Sequence, residues 1–265
     1  MVYTCFDMIR DCQADRPAGW SYFITNYVPA IRKLVQHYRP EKGGSIDDVL
    51  AAIRNPGTKG ANLFASVTPA PEREFLSELR QRVLELLDAS SPVAAPEVAI
   101  GLETLTAALE PLSFLEKQAV WLETMRYASA EAGTLLRSGA AAVEKMRENA
   151  AGRIRAQVDH WRLTLLAENG RQLGREAQAV TAACLPAKAF LDLLDGRTTW
   201  RGREDMERHV RGCWHCIDHY CRLLEAAEWV RRAQPLSERE AEPFRKLLSI
   251  EAEKRAGWKR LFGTG

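Results

Sequence analysis

The sequence lacks long strand-like runs of Val, Ile, Thr and Tyr, and it lacks any uninterrupted apolar stretch of the roughly 18 residues that cross a membrane. Aromatic residues make up only 8% of the 265 residues, whereas Ala, Leu, Glu and Arg recur in almost every segment. These four residue types favour helices. The N-terminus has no basic-then-apolar pattern of a secretory signal. The composition predicts an all-α protein, and we expect it to act in the cytoplasm.

Motifs of common enzyme classes are also absent. The sequence has no GxxxxGK[ST] phosphate-binding loop, no GxGxxG turn and no HExxH motif. Carboxylate pairs such as Asp192 and Asp195 fall on a helix and a turn, where solvation and capping explain them. We therefore expect no catalysis and no small-molecule substrate.

Helical periodicity and composition divide the chain into six segments. The first is a helical module at residues 1–88, in which Pro29 interrupts the apolar face of a long helix. Ala, Pro and Ser then enrich residues 89–101, which predicts a linker. The other segments are a helix-turn-helix module at 102–155, a connecting helix at 156–183, a zinc-binding module at 184–232 and an amphipathic tail at 233–265.

The helix-turn-helix prediction rests on a tight glycine turn between two helices. Ser138-Gly139 separates a helix at Ser129–Arg137 from a helix at Ala140–Arg155, and the outer face of such a second helix meets DNA. The whole chain has a net charge of only +2 from 37 basic and 35 acidic residues. A prediction of DNA binding therefore needs a local excess of basic residues. Five basic residues against Glu144 and Glu148 supply that excess, which fits either a weak DNA-binding surface or a merely solvated helix face. The predicted DNA-binding residues are Arg137, Lys145, Arg147, Asn149, Arg153 and Arg155.

Four of the six cysteines fall between residues 184 and 221, which in a reducing cytosol favours metal binding over disulfides. His209 and Cys213 are one helical turn apart, and Cys213 and Cys216 have the spacing that lets two thiolates hold one tetrahedral ion. A chain reversal at Leu193-Leu-Asp-Gly196 brings in a fourth ligand. The predicted zinc ligands are Cys184, His209, Cys213 and Cys216, with His215, His219 and Cys221 as alternatives.

This ligand order resembles the zinc-binding domain of anti-sigma factors. The pattern of that family is an upstream Cys or His, a Leu-Asp-Gly turn and then His-x3-Cys-x2-Cys, and residues 184–216 match all of it. The resemblance implies a small helical domain that holds one zinc ion and modulates the preceding modules without performing chemistry.

The preceding segments resemble sigma factors of the extracytoplasmic-function class, which consist of a helical region 2, a linker and a helix-turn-helix region 4. The matches to region 4 are Pro111-Leu112, Lys117-Gln-Ala-Val120, Ser129-Ala-Glu-Ala132, and Val143 with Ala150, Ile154 and Arg155. Ile46-Asp-Asp-Val49 stands where region 2 has its acidic-apolar polymerase-binding motif. The resemblance implies binding to the RNA polymerase core through Asp47 and Asp48, and to promoter DNA through region 4.

The predicted recognition helix departs from this family pattern. Ala142-Val-Glu-Lys-Met146 stands where the family usually has Thr-Val-Lys-Ser-Arg, and acidic side chains that face DNA are repelled. Two functions therefore stay open. One is a sigma-factor-like transcription regulator modulated by a fused zinc domain. The other is a protein-interaction module that keeps the sigma fold without promoter recognition.

The C-terminal tail has the pattern of an amphipathic helix. It opens with the capping-box spacing of Ser237-Glu-Arg-Glu240. Basic residues then separate the apolar positions Phe244, Leu247, Leu248, Trp258, Leu261 and Phe262. Such a helix can pack on the chain's own modules, or it can dock on a protein partner or a membrane surface.

Overall fold

A computed structural model describes residues 3–39, 46–54, 63–90, 96–158, 161–162, 164–178 and 184–250. Within these ranges the chain forms thirteen α-helices and one 3₁₀ helix and no strand, so the predicted all-α class is confirmed. None of the helices in these ranges is long and apolar enough to cross a membrane. Parts of the predicted linker (91–95), connecting helix (159–160, 163, 179–183) and tail (251–265) lie outside the described residues.

The chain folds as two compact units. In chain order the helices are α1 (Cys5–Gln13), α2 (Pro17–Tyr38), α3 (Ile46–Arg54), a 3₁₀ helix (Leu63–Ser66), α4 (Glu72–Ser90), α5 (Leu102–Leu109), α6 (Phe114–Thr124), α7 (Ser129–Leu136), α8 (Ala140–Arg155), α9 (Leu165–Glu176), α10 (Ala187–Leu194), α11 (Trp200–Val210), α12 (Trp214–Arg232) and α13 (Glu238–Leu247). Unit 1 combines Met1–Pro92 with Arg231–Gly265, and unit 2 is Val93–Val230. The segments predicted as helix-turn-helix and zinc-binding modules thus lie together in unit 2, up to Val230.

The core of unit 1 is built on the apolar face of α2. Trp20 and Phe23 each meet Phe64 edge to face, with ring centroids 5.3 and 5.2 Å apart. Tyr27 meets Phe75 in the same way at 5.1 Å. All five rings are buried. Because aromatic pairs favour this geometry, the helical spacing of the α2 aromatics produces one continuous packed face.

Pro29 lies inside α2 without ending it. Since proline has no backbone N–H, the carbonyl of Thr25, four residues earlier, has no partner within the helix. The amide of Leu236 donates to this carbonyl at 2.8 Å. The C-terminal segment therefore supplies the hydrogen bond that the proline cannot make.

Helix α13 packs on α2 and α3 within unit 1. It begins with the predicted capping box, in which the Ser237 hydroxyl accepts from the amide of Glu240 and the Glu240 carboxylate accepts from the amide of Ser237. Its apolar face buries Phe244, whose ring centroid lies 5.6 Å from the guanidinium carbon of Arg32. The described part of the tail thus packs on the chain itself.

Replacing Phe244 by alanine should lower the free energy of unfolding of unit 1 by about 3 kcal/mol, because it removes a large buried ring. Leu247 on the same helix is 42% exposed. Leu247→Ala is therefore the matched control, with an expected loss below about 1 kcal/mol. Scanning calorimetry of the two variants measures the difference. Equal losses would contradict the packing of α13 through its Phe244 face.

Candidate metal centre

Four side chains of unit 2 converge on one point. The ligand atoms of Cys184, His209, Cys213 and Cys216 all lie within 4.8 Å of one another. Cys184 Sγ is 3.7 Å from Cys213 Sγ, and His209 Nε2 is 3.2 Å from Cys216 Sγ. In a tetrahedral site with metal–sulfur bonds of about 2.3 Å, neighbouring sulfurs are about 3.8 Å apart. The four residues predicted from the sequence therefore fit a single tetrahedral metal ion.

The Leu-Asp-Gly turn brings Cys184 back toward the other three ligands. Cys184 precedes α10, and just beyond that helix Gly196 adopts a φ of 69°, a left-handed conformation that favours glycine. The amide of Arg197 then donates to the carbonyl of Asp192 at 2.8 Å. The chain reverses here before it enters α11, whose last turn carries His209.

A tight corner between α11 and α12 positions the remaining ligands. The amide of Gly212 bonds to the carbonyl of His209 at 3.3 Å, and the amide of Cys213 bonds to the carbonyl of Val210 at 3.4 Å. Cys213 directly precedes α12, and Cys216 lies in its first turn. Because the unpaired amides and the dipole at a helix N-terminus favour negative charge, this position suits two thiolates.

Burial raises the pKa of both cysteine ligands at this corner. Cys216 is fully buried, and burial raises the pKa of its thiol to about 12. The amide of Leu185, 3.4 Å from the Cys216 sulfur, lowers this pKa, and the neighbouring Cys213 thiol raises it. Burial also raises the pKa of Cys213, against the effect of the Cys216 amide. A metal ion supplies the positive charge that lets such thiols remain deprotonated.

All four ligands of the candidate metal site come from the protein. Four protein donors leave no open position for water or substrate, which is the arrangement of structural metal sites. The residues predicted as alternative ligands stand outside the cluster. The imidazoles of His215 and His219 stack in parallel, with centroids 6.3 Å apart, and Cys221 is fully buried elsewhere on α12.

A tight turn joins α7 to α8. The amide of Ser138 donates to the carbonyl of Gly133 at 2.8 Å, and Arg137 ends α7 with a left-handed φ of 51°. A Cβ at position 133 would lie 2.8 Å from the carbonyl oxygen of Ser138, so only glycine allows the turn to fold back this closely. Val143 and Ile154 face the core, which leaves the opposite face of α8 exposed.

The predicted DNA-binding residues differ in their surroundings. Those that are exposed are Arg137, Lys145, Asn149, Arg153 and Arg155. The guanidinium of Arg147 instead donates to the carbonyls of Ala119 and Tyr127 at 3.1 and 2.9 Å. It also lies 3.5 Å from the carboxylate of Glu123, which is partly buried. Arg147 thus links α8 to α6 by a hydrogen bond and an ion pair, a structural role that the sequence pattern did not predict.

The predicted polymerase-binding residues Asp47 and Asp48 are exposed in the first turn of α3 in unit 1. Acidic side chains at this position stabilise a helix N-terminus. Val49 and Ile53 anchor the helix in the core. The two carboxylates are exposed, so they are accessible to a partner. Stabilisation of the helix N-terminus is a second explanation for acidic residues at these positions.

No family model, curated protein or solved structure matches the chain. The resemblance to sigma and anti-sigma factors therefore rests on the residues and spacings of this sequence. The structure brings the four predicted metal ligands together and joins α7 to α8 by a tight turn.

We expect one metal ion per chain in protein purified without added metal, measured by elemental analysis. Cys213→Ser and Cys216→Ser should each abolish most of this content, because a hydroxyl is a poor replacement for a thiolate ligand. Cys5→Ser in unit 1 and Cys221→Ser on α12 are matched controls and should retain the metal. Freshly purified wild-type protein with almost no metal would contradict the site.

Proposed function

We propose that the chain is a non-catalytic transcription regulator that acts in the cytoplasm, in which unit 2 is a zinc-containing helix-turn-helix module that binds DNA. The observation that carries this proposal is the exposed outer face of α8 behind a tight turn. Between residues 137 and 155, four basic and two acidic side chains are exposed. This count leaves out Arg147, whose guanidinium faces inward. Lys and Arg on such a face pair with phosphates.

Zinc is the metal that the four ligands suit best. Three thiolate sulfurs and one imidazole nitrogen in tetrahedral array form one of the common structural zinc sets. Soft thiolates also disfavour magnesium and calcium, which take oxygen ligands. In this proposal the zinc ion performs no chemistry.

The sigma-factor resemblance extends the proposal to RNA polymerase. Asp47 and Asp48 at the exposed start of α3 would bind the polymerase core, and α8 of unit 2 would contact promoter DNA. The accessibility of the two carboxylates supports the first contact. The local basic excess along residues 137–155 supports the second.

The second candidate function is a protein-interaction module without promoter recognition. Glu144 and Glu148 are exposed on the same face of α8 as Lys145, and they would repel phosphates. Arg147, which the sequence pattern predicted to bind DNA, instead donates hydrogen bonds to two backbone carbonyls within unit 2. Under this alternative, the exposed faces of α8 and α3 bind proteins only.

The proposed DNA binding should weaken steeply with salt, because phosphate contacts release counterions. Removing two such contacts in Lys145→Ala/Arg155→Ala should make the slope of log affinity against log salt shallower by about two. Fluorescence anisotropy with double-stranded DNA at several salt concentrations measures both quantities. Arg201→Ala/Arg208→Ala is the matched control, since it removes two exposed charges of unit 2 that lie outside α8. Equal affinity and slope for the two double variants would favour the interaction module.

Binding to polymerase should depend on the acidic start of α3. We expect Asp47→Asn/Asp48→Asn to reduce co-purification with bacterial RNA polymerase core at least about tenfold, by loss of charge-assisted contacts. Asp205→Asn/Glu204→Gln, at two exposed acidic positions of α11, controls for net charge. Unchanged recovery of polymerase with the α3 variant would contradict this contact.

A further inference from the structure

Unit 2 has one continuous core that includes both the helix-turn-helix and the metal-binding helices. The cluster of buried side chains runs through α5 to α9 and on through α10 to α12. At its centre the indole of Trp121 on α6 stacks on the indole of Trp214 on α12, with centroids 5.2 Å apart and planes inclined by 30°. Both indoles are buried, so neither set of helices has a complete core without the other.

Trp214 stands between two metal ligands, Cys213 and Cys216. Its Nε1 donates to the hydroxyl of Thr106 on α5 at 2.8 Å. In the opposite direction, Nε1 of Trp121 on α6 donates to a carboxylate oxygen of Asp218 on α12 at 3.0 Å. The first turns of α12, which contain Cys216 and directly follow Cys213, are thus hydrogen-bonded to α5 and α6.

A buried lysine strengthens this connection. Lys117 on α6 is 1% exposed, and its ammonium donates to the carbonyl of Arg211 and lies 5.9 Å from the ring centroid of Trp214. Burial lowers the pKa of this ammonium, and a buried charge is costly unless its partners stay in place. The Arg211 carbonyl belongs to the corner between the ligands His209 and Cys213, so bound metal would hold that partner in position.

The connection continues from α6 to α8. Arg147 on α8 donates to the carbonyl of Ala119 and pairs with Glu123, on either side of Trp121 along α6. Tyr127, just beyond α6, donates its hydroxyl to the carboxylate of Glu225 on α12. The proposed DNA-contacting helix is therefore attached to α6, and α6 is attached to α12, which contains the ligand Cys216 and directly follows the ligand Cys213.

We propose that the metal ion is a structural element of the helix-turn-helix, and that Trp214 is the positioning residue through which the ion holds α6, and with it α8, in place. This inference rests on the proposed zinc centre and is independent of DNA binding. The contrary arrangement is a zinc module that folds and unfolds by itself beside an unaffected helix-turn-helix.

Hydrogen exchange on the full chain distinguishes these arrangements. Zinc is removed with a chelator under reducing conditions, and exchange is compared with that of the zinc-loaded protein by mass spectrometry. Exchange should accelerate at least about tenfold in α6 and α8 as well as in α10 to α12, because these helices form one cooperative unit. Helices α2 and α4 of unit 1 serve as the internal reference. Protection of α8 that survives zinc removal would overturn the proposal.

The role of Trp214 is tested with its neighbour as control. Trp214→Ala should accelerate exchange in α8 of the zinc-loaded protein, and Trp214→Phe should restore part of the protection because a ring can still stack on Trp121. His215→Ala lies between the same two cysteines and should leave exchange in α8 unchanged. Equal exchange in Trp214→Ala and His215→Ala would overturn the positioning role.

Coupling between the metal and α6 must act in both directions. Trp121→Phe removes the hydrogen bond to Asp218 at a position remote in sequence from the ligands. It should weaken the equilibrium affinity for zinc at least about fivefold, measured by competition with a chromophoric chelator, as expected for a coupling of ordinary size. A zinc affinity equal to that of the wild type would overturn the coupling. Neither this assay nor hydrogen exchange involves DNA, so failure of the DNA-binding proposal would leave both results interpretable.

Discussion

The convergence of Cys184, His209, Cys213 and Cys216 on one point is the constraint on which unit 2 depends. Helices α10 and α11 have only 8 and 11 residues, and helices this short are marginal alone in water. Each also buries few side chains, Phe190 in α10 and Met206 and Val210 in α11. A structural zinc ion binds with about 10 kcal/mol or more, so metal binding can supply much of the free energy that apolar burial does not.

Buried polar contacts between α12 and α6 add specificity to the packing around the proposed metal site. Asp218 accepts from Trp121 at 3.0 Å and pairs with Arg222 at 2.6 Å, with all three side chains almost excluded from water. Buried ion pairs contribute little net stability, but a misplaced partner leaves a buried charge unsatisfied. These contacts therefore disfavour a shifted packing of α12 against α6.

The sequence predicted those features that local geometry determines. HxxxC and CxxC overlap at Cys213, so the four converging residues were identifiable without a structure, although a corner between α11 and α12 separates His209 from Cys213 where the spacing predicted one helical turn. Pro111 and Gly139 likewise marked the helix ends around α5 to α8. The inward position of Arg147 was not predictable, because its periodicity matches that of exposed neighbours and only contacts with α6 decide its direction. The hydrogen bond from the amide of Leu236 to the carbonyl of Thr25, which joins the C-terminal segment to α2 within unit 1, was not predictable either. It too is a contact between residues far apart in the sequence.

X-ray absorption spectroscopy at the zinc edge of the protein as purified identifies the atoms bound to the proposed ion. We expect a first shell of three sulfur atoms at about 2.3 Å and one nitrogen at about 2.0 to 2.1 Å. Because the fourth ligand is a histidine, the spectrum should also contain the outer-shell scattering of one imidazole. A shell with fewer than three sulfurs, or one made mainly of oxygen, would contradict a closed site formed by Cys184, His209, Cys213 and Cys216.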